Sequence, residues 1–470
     1  MKPIILSDNT SKHAKNLSQR EFKNLWSVAN RPLKDLAEKN ERFLVYPPDI
    51  KESKDRIGDR PIFNIAEHDW PGDSKECHIS TGNLMGFFRC GSDGMEPTEV
   101  HIRSRFTPSS QNGSAEDCGK DWFLPYMLNR VLNFNILSSE TSRRDDSLFD
   151  LLVLLFPKYL MDACQKGLFR QYVVHNYNDS RVRGAIDVSR HIRFNVPFAG
   201  RIAYRTREYS CDNAVTQLVR HTIEFIRRHQ YAAVLNAPDV AEYVHQICEA
   251  TPSYAPNDRR KVLDMNRKNV AHPYLWEYSD LQKLCRMILM FDESNFGVDQ
   301  DEVISGVLFD GAWLWEEYLN VVLEEGGVGL VHARNKTGGG AIHPLVKEDK
   351  DLGLFYPDFY RDTQVAGGKE IPGFVMDAKY KRLEGANPHA DDLQQVIAYM
   401  HVLKAGAGVY LYPREGAQNN SRLLGELRGY GGELYTYGLY IPSGCGTFAD
   451  FAERIKKQEK YFVGFVKNFL

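Results

Sequence analysis

The sequence predicts a multidomain α+β protein with a β-rich N-terminal domain, a helical middle region and a C-terminal α/β core built on a mixed sheet. Its 470 residues are enough for two or three domains with full hydrophobic cores. From Arg42 onwards, short runs of β-branched and aromatic residues are separated by turn residues, which is typical of strands. Amphipathic helical patterns dominate the middle of the chain, and strands alternate with helices in the last third.

The composition is that of an ordinary globular protein, with 43% hydrophobic and 26% charged residues. A net charge of −3 argues against a uniformly basic surface but allows local basic patches. The 8 Cys include no C-x-x-C pair, so neither a zinc site nor a disulfide framework is indicated. The N-terminus becomes polar too early for a signal peptide, and the longest apolar run, Leu148–Phe156, is too short to span a bilayer. We therefore expect a cytoplasmic protein with no membrane contact.

Changes in the character of the sequence set the predicted domain boundaries. Residues 1–41 are polar and charged and form a predicted N-terminal extension, and residues 42–145 form a β-rich domain. Residues 146–300 form a mainly helical middle region. The polar segment Asp292–Asp301 is the candidate linker to a final α/β domain over residues 301–470.

An Arg-rich block occupies residues 181–207 of the middle region, where seven Arg are interleaved with apolar residues. One interpretation is a solvated strand face beside acidic neighbours. The other is a surface for phosphate or for an acidic partner, because Arg forms bidentate contacts with both groups. Arg183 and Arg205 are the candidate contact residues on the second interpretation.

Two short strands in the last domain carry a concentration of charge. The runs Tyr356–Tyr360 and Phe374–Lys381 are aromatic or β-branched, are bounded by Gly and Pro, and predict a hairpin. Side chains alternate along a strand, so Asp377 and Lys379 share one face, and Asp358 on the neighbouring strand can reach it. Two adjacent carboxylates repel unless a positive charge lies between them. A divalent metal is one such charge, and Lys379 is another.

These residues resemble the signature of the PD-(D/E)xK nuclease superfamily. Pro357-Asp358 matches its PD half, and Asp377-Ala378-Lys379 matches its D-x-K half. The resemblance implies a C-terminal PD-(D/E)xK core in which Asp358 and Asp377 bind Mg²⁺, or alternatively Mn²⁺. It also implies that Lys379 orients or activates the attacking water.

Two flanking helices extend this resemblance. A Glu on a preceding helix often completes such a site, and Glu316 is preferred to Glu317 because it flanks the apolar stripe of its helix. Downstream, Gln395 and Tyr399 match the Gln-x-x-x-Tyr helix of the RecB-like branch and lie one helical turn apart. The resemblance implies that both orient Lys379 or contact the DNA backbone.

The middle block narrows the resemblance to the McrC family, the nuclease subunits of McrBC-type restriction systems. The matching stretches are Arg183–Asp187, His191-Ile192 with Asn195, Tyr209–Asn213, Asp377–Lys381 and Asp392–Tyr399. Membership implies a McrB-like AAA+ GTPase partner, double-stranded DNA as the substrate, and docking through the β-rich domain. The longer N-terminus and a Gly-rich charged insertion over residues 335–353 depart from a compact McrC chain.

Two other functions stay open at this point. One is a stand-alone PD-(D/E)xK nuclease without a motor protein, and the other is a non-catalytic adaptor that regulates an NTPase. An intact set of Asp358, Asp377 and Lys379 counts against the adaptor. A neighbouring gene for a McrB-like GTPase would distinguish the restriction subunit from the stand-alone nuclease.

Overall fold

The computed structural model describes most of the chain, and the statements below concern the described residues. These are residues 3–11, 13–40, 43–47, 57–65, 76–91, 96–106, 121–132, 148–228, 232–270, 272–291, 303–333, 340–366, 369–383, 388–416, 421–428 and 431–470. The chain divides into two compact units. The first takes in Met1–Asn133 and Gly297–Leu470, and the second is Phe134–Phe296. The candidate linker Asp292–Asp301 lies outside the described residues, and the division between the two units falls within it, between Phe296 and Gly297.

The helices and strands follow one another in chain order. They are β1 (Ile4–Ser7), β2 (His13–Asn16), α1 (Gln19–Trp26), α2 (Leu33–Lys39), β3 (Phe43–Tyr46), β4 (Phe63–Ile65), β5 (Glu76–Thr81), β6 (Leu84–Cys90), β7 (Thr98–Arg103), α3 (Phe123–Leu132), α4 (Leu148–Cys164), β8 (Gln171–Asp179), β9 (Ala185–Ile186), α5 (Val188–Asn195), β10 (Ile202–Ser210), α6 (Ala214–Arg227), α7 (Pro238–Ala250), α8 (Arg259–Met265), α9 (Glu277–Phe291), β11 (Ile304–Asp310), α10 (Gly311–Glu325), β12 (Val331–His332), β13 (Leu345–Lys347), β14 (Lys350–Leu352), β15 (Phe359–Arg361), β16 (Gln364–Ala366), β17 (Lys369–Ile371), β18 (Gly373–Ala378), α11 (Ala390–Leu403), β19 (Ala405–Arg414), β20 (Ser421–Glu426), β21 (Glu433–Tyr440) and α12 (Phe448–Lys467).

A five-stranded sheet in the first unit joins distant parts of the sequence. Its strand order is β1-β7-β6-β11-β3. β11 pairs antiparallel with β6 and parallel with β3, so Val307 lies opposite both Phe87 and Leu44. Helices α1 and α2 bury Phe22 and Leu36 in the core of this part. Sequence from the predicted extension, 1–41, is therefore built into the core. The predicted division into four functional domains stays a prediction.

A six-stranded mixed sheet forms the C-terminal part of the same unit, which confirms the predicted α/β character of this region. Its order is β12-β15-β18-β19-β21-β20, with β15 antiparallel to β18, and β18, β19 and β21 parallel. Helix α11 packs on the face that carries Val375 and Tyr410. The helix comes so close to β19 that a Cβ at Gly408 would lie 2.3 Å from Met400 Sδ, which explains the glycine there.

The second unit combines helices with a small sheet of its own, in the order β8-β10-β9. Asn213 caps helix α6, because its Oδ1 accepts the N–H groups of Val215 at 3.0 Å and Thr216 at 3.3 Å. The Arg-rich block contributes β9, α5 and most of β10. In neither unit does the described sequence contain a helix both long and apolar enough to cross a membrane.

The buried ion pair between Asp8 and Arg105 gives a prediction about stability. Asp8 Oδ1 accepts the main-chain N–H of Arg105 at 2.5 Å, and Oδ2 accepts from Nε at 2.9 Å and from Nη2. Asp8→Ala should lower the free energy of unfolding of the first unit by about 3–5 kcal/mol, because it leaves a buried guanidinium without its counter-charge. Denaturant unfolding of the full chain measures this.

Lys34→Ala is the matched control for that measurement. Lys34 Nζ lies 2.6 Å from Asp59 Oδ1, but this pair lies at the surface, so Lys34→Ala should change the unfolding midpoint far less than Asp8→Ala does. Equal unfolding midpoints for Asp8→Ala and Lys34→Ala would contradict the assigned role of the buried pair.

Candidate functional site

The two candidate metal-binding carboxylates lie side by side. In the β15–β18 pair, Phe359 is opposite Met376, so extending the register by one residue places Asp358 opposite Asp377. Opposite residues of an antiparallel pair project from the same face. Asp358 Oδ2 accepts the main-chain N–H of Ala378 at 2.7 Å, and both Asp side chains are buried. The predicted hairpin pairing is confirmed, and it brings these two acids together.

Lys379 lies beside the carboxylates and links them to helix α11. Its Nζ is 2.9 Å from Asp377 Oδ2 and donates to Gln395 Oε1 at 3.0 Å, and its side chain is only 19% exposed. Burial by itself lowers the pKa of Lys379, but the negative charges of Asp377 and Asp358 outweigh burial and raise this pKa above its usual value. The side chain is therefore held as an ammonium group, suited to donating hydrogen bonds and stabilising negative charge.

Gln395 and Tyr399 continue the hydrogen-bonded chain away from Lys379. Gln395 Nε2 donates to Tyr399 Oη at 2.7 Å, and Tyr399 Oη donates to the carbonyl of Tyr356 at 3.3 Å. Burial raises the pKa of Tyr399 to about 12, so the phenol stays neutral and able to donate. This series of hydrogen bonds ends at the carbonyl of Tyr356, two residues before Asp358. It therefore connects Lys379 to the segment that carries Asp358.

Helix α10 brings two Glu side chains to the site, and they have different partners. Asp310 caps the helix, since its Oδ1 accepts the N–H of Ala312 at 2.7 Å. The charge of Glu316 contributes to the raised pKa of Lys379, which places it within electrostatic reach of the ammonium group. Glu317 instead lies with its Oε1 3.7 Å from His332 Nε2.

His332 is a site neighbour that the sequence did not reveal. Its Nδ1 lies 2.8 Å from the carbonyl oxygen of Asp358, and its ring stacks on Phe359 with centroids 4.8 Å apart. Burial lowers the pKa of His332, but Glu317 and the Asp358 carbonyl outweigh it and raise the pKa overall. A single His in a two-residue strand has no motif around it, so only the tertiary structure shows this contact.

A second polar cluster fixes the start of helix α11. Lys381 Nζ lies 3.0 Å and 3.1 Å from the two carboxylate oxygens of Asp392, and Tyr410 Oη donates to Asp392 Oδ2 at 3.2 Å. Tyr410 is the register partner of Asp377 on the adjacent strand. Because Asp392 precedes Gln395 by one helical turn, this cluster helps to fix where Gln395 meets Lys379. No pattern in the local sequence indicated this contact.

The donor set fits a hard divalent cation held by few protein ligands. Asp358 and Asp377 offer carboxylate oxygens, which Mg²⁺ and Mn²⁺ prefer, whereas zinc sites in proteins usually use Cys or His. Among the residues that the structure describes, no group of three or more His, Cys, Asp or Glu side chains is arranged to hold a metal ion. A cation at the two Asp side chains would therefore complete its shell with main-chain carbonyls and water, as Mg²⁺ commonly does.

Arg183 and Arg205 belong to the second unit and are considered there alone. Arg183 is exposed; its Nε donates to Tyr204 Oη at 3.3 Å, and its guanidinium lies 5.1 Å from the ring centre of Tyr177. Arg205 is exposed on β10, opposite Asn176 of β8. Because neighbouring residues of a strand project from opposite faces, Arg205 lies on the face of β10 opposite to that of Tyr204, which Arg183 contacts.

Comparisons with known proteins agree with this architecture. The family model described as McrBC 5-methylcytosine restriction system component matches residues 79–413. Among solved structures, the chain resembles one from a refined half-complex of the tetradecameric assembly of Thermococcus gammatolerans McrB AAA+ hexamers with bound McrC. The identity is 17%, the TM-score is 0.50, and the alignment covers 99% of this chain and 100% of that chain.

A further match is a chain of the cryo-EM structure of the Thermococcus gammatolerans McrBC complex, at 15% identity and a TM-score of 0.33, with 70% of this chain and 90% of that chain covered. No curated protein sequence matches significantly. The likeness to the half-complex concerns the fold, whereas the family model covers more than half of the chain. The resemblance to McrC is thus confirmed, and the chain belongs to the family of McrBC 5-methylcytosine restriction system components.

Proposed function

We propose that this chain is the DNA endonuclease subunit of a McrBC-like restriction system, which hydrolyses phosphodiester bonds of double-stranded DNA with Mg²⁺ and also stimulates a partner AAA+ GTPase. The observation that carries the nuclease proposal is the position of Lys379. Its Nζ lies between Asp377 Oδ2 at 2.9 Å and Gln395 Oε1 at 3.0 Å. Beside it, Asp358 Oδ2 accepts the main-chain N–H of Ala378 at 2.7 Å. If the ion pair of Lys379 with Asp377 only stabilised the fold, it would need neither the second carboxylate of Asp358 nor the contact with the side-chain amide of Gln395.

Asp358 and Asp377 are the side chains that would hold Mg²⁺, and Mn²⁺ suits the same oxygen donors. When bound, such a cation neutralises charge on the scissile phosphate and lowers the pKa of a coordinated water. The burial of both Asp side chains limits their screening by solvent. Glu316, at the edge of the site, is the third acidic group and acts through a water.

Lys379 donates hydrogen bonds to the attacking water and to the phosphate oxygens on which negative charge develops. Its raised pKa keeps it cationic, so its role is electrostatic and not that of a general base. Gln395 holds the ammonium group in place and Tyr399 braces Gln395. Preorganised charge of this kind lowers the barrier because no reorganisation is needed during the reaction.

Lys379→Ala and Asp377→Ala test the catalytic assignment. Each should reduce Mg²⁺-dependent DNA cleavage at least about 10²–10³-fold, since each removes a preorganised charge from the site. Cleavage of plasmid DNA by the full chain, with its partner and GTP, measures the loss. Lys457→Ala is the matched control, because Lys457 forms an exposed helical pair with Glu453 at 2.9 Å. Wild-type cleavage rates in Asp377→Ala protein would refute the assignment.

The metal proposal predicts weak, exchangeable binding. Two carboxylates with water ligands should give no tightly retained ion, so EDTA should abolish cleavage while leaving the circular dichroism spectrum unchanged. Added Mg²⁺ or Mn²⁺ should restore activity. Cleavage that persists in EDTA, or a zinc ion retained through dialysis, would contradict two Asp side chains as the metal ligands.

The proposal of a protein partner is supported by the surface of the second unit. Ten large hydrophobic side chains are exposed between residues 172 and 209, which is unusual for a surface that faces only water. They are Tyr172, Val174, Val182, Ile186, Val188, Ile192, Phe194, Val196, Phe198 and Tyr209. The same segment carries the Arg-rich block, so the exposed side chains of residues 172–209 are both apolar and cationic. Of the two interpretations left open by the sequence, this combination favours a binding surface for an acidic partner.

Arg183→Glu and Arg205→Glu test the partner surface. Each should lower both the stimulation of the partner GTPase and DNA cleavage, since charge reversal repels acidic groups on the partner. Arg267→Glu is the control, because Arg267 is exposed in the same unit and pairs locally with Asp264 at 2.8 Å. GTP turnover and DNA cleavage are measured on the same samples. Full stimulation by both reversed variants would exclude these two Arg as partner contacts.

A further inference from the structure

The side chain of Tyr380 points away from those of its two neighbours. Lys379 contacts Gln395 and Lys381 contacts Asp392, both on helix α11. Tyr380 instead is 2% exposed, and its Oη lies 2.7 Å from Ser104 Oγ, 276 residues earlier in the chain. Alternation of side chains along an extended segment produces this arrangement. The residue between two site lysines is therefore anchored in the N-terminal part of the same unit.

Four residues form the pocket around this ring, which we call the Tyr380 socket. They are Met85, Ser104, Arg105 and Phe106. The Phe106 ring meets Tyr380 edge-on at 5.2 Å, the Arg105 guanidinium lies 4.9 Å from the ring centre, and Tyr380 Oη is 3.4 Å from Met85 Sδ. Met85 lies on β6, and the other three residues directly follow β7. These four residues thus come from β6 and from the segment after β7, and Trp315 of α10 packs on the same ring, with centroids 6.3 Å apart.

The socket is itself fixed by buried polar contacts. Asp121 Oδ2 accepts the N–H of Ser104 at 2.9 Å, and Asp8 forms the buried ion pair with Arg105. Arg105 also donates through Nη2 to Asn83 Oδ1 at 2.8 Å. Buried polar groups with several partners are costly to displace, so the socket is a rigid support.

The same sheet also sets the position of helix α10. Strand β11 leads directly into this helix, and the N–H of Gly311 donates to the carbonyl of Asn83 at 2.8 Å. A Cβ at Gly311 would lie 2.9 Å from Tyr380 Cε1, so the start of the helix packs closely on the ring. The segment carrying Lys379 and the helix carrying Glu316 are therefore aligned on one support.

We infer that Tyr380 is a positioning residue, through which the N-terminal five-stranded sheet sets the position of Lys379 for phosphodiester hydrolysis. This inference rests on the proposed nuclease function and extends it, because it gives the N-terminal sheet a part in the chemistry in addition to any part in docking. Displacement of a reacting group by about 1 Å can cost about 10²-fold in rate, so a modest loosening of this anchor should be measurable.

Tyr380→Phe and Ser104→Ala in the full chain test the inference. Each removes the hydroxyl contact while keeping the ring and the fold. With partner, GTP and Mg²⁺, each should lower kcat for DNA cleavage about 10-fold or more, with KM and GTPase stimulation unchanged. Each also leaves a buried polar group with fewer partners, so the melting temperature should fall by no more than it does in the control variant Tyr126→Phe. Ser104 Oγ also accepts the N–H of Phe106 at 3.2 Å, so the double variant should lose no more than Ser104→Ala alone, which already removes the contact with Tyr380.

Tyr126→Phe is the matched control. It removes another buried tyrosine hydroxyl, whose hydrogen-bond partner among the described residues is Glu459 Oε1 at 2.8 Å, so kcat should stay at the wild-type value. Unchanged kcat in both Tyr380→Phe and Ser104→Ala would overturn the inference alone. The inference would also fail if kcat fell only in proportion to the fall in melting temperature, because a purely structural role predicts that relation. Absence of Mg²⁺-dependent cleavage by the wild type would instead overturn the proposed nuclease function, and this inference with it.

Discussion

The contact between the Lys379 ammonium group and the buried carboxylate of Asp377 is the interaction on which the site depends. A carboxylate in this position is stable only beside a positive charge, and Lys379 provides it at 2.9 Å. The surrounding features then follow from holding this pair in place. The N–H of Ala378, at the end of β18, orients Asp358. Gln395, on helix α11, fixes the other side of the ammonium group.

Three supports converge on that pair from different parts of the chain. Asp392, with Lys381 and Tyr410, fixes the first turn of α11 ahead of Gln395. His332 contacts the main-chain carbonyl of Asp358 from strand β12. The third support comes from the N-terminal sheet. A polar site buried in this way needs its partners already in place, because each unsatisfied group would cost about 1–3 kcal/mol.

Local sequence patterns predicted the parts of this arrangement that depend on short-range geometry. The two-residue period of a strand placed Asp377 and Lys379 on one face, and the helical turn paired Gln395 with Tyr399. The contacts of His332 and Tyr410, and the return of β11 to the N-terminal sheet, had no such signal, because pairing between strands far apart in sequence leaves no local period. The catalytic roles of the predicted site residues, their metal and the functional domain boundaries stay predictions.

The place of β11 between β6 and β3 has a consequence for how the chain folds during synthesis. At about 5–20 residues per second, the roughly 200 residues between the end of β7 and the start of β11 take about 10–40 s to be made. Throughout that interval the position beside β6 stays unfilled, and an open strand edge favours pairing with other chains. The N-terminal half of the nascent chain therefore exposes an edge prone to aggregation until β11 has left the ribosome and paired with β6.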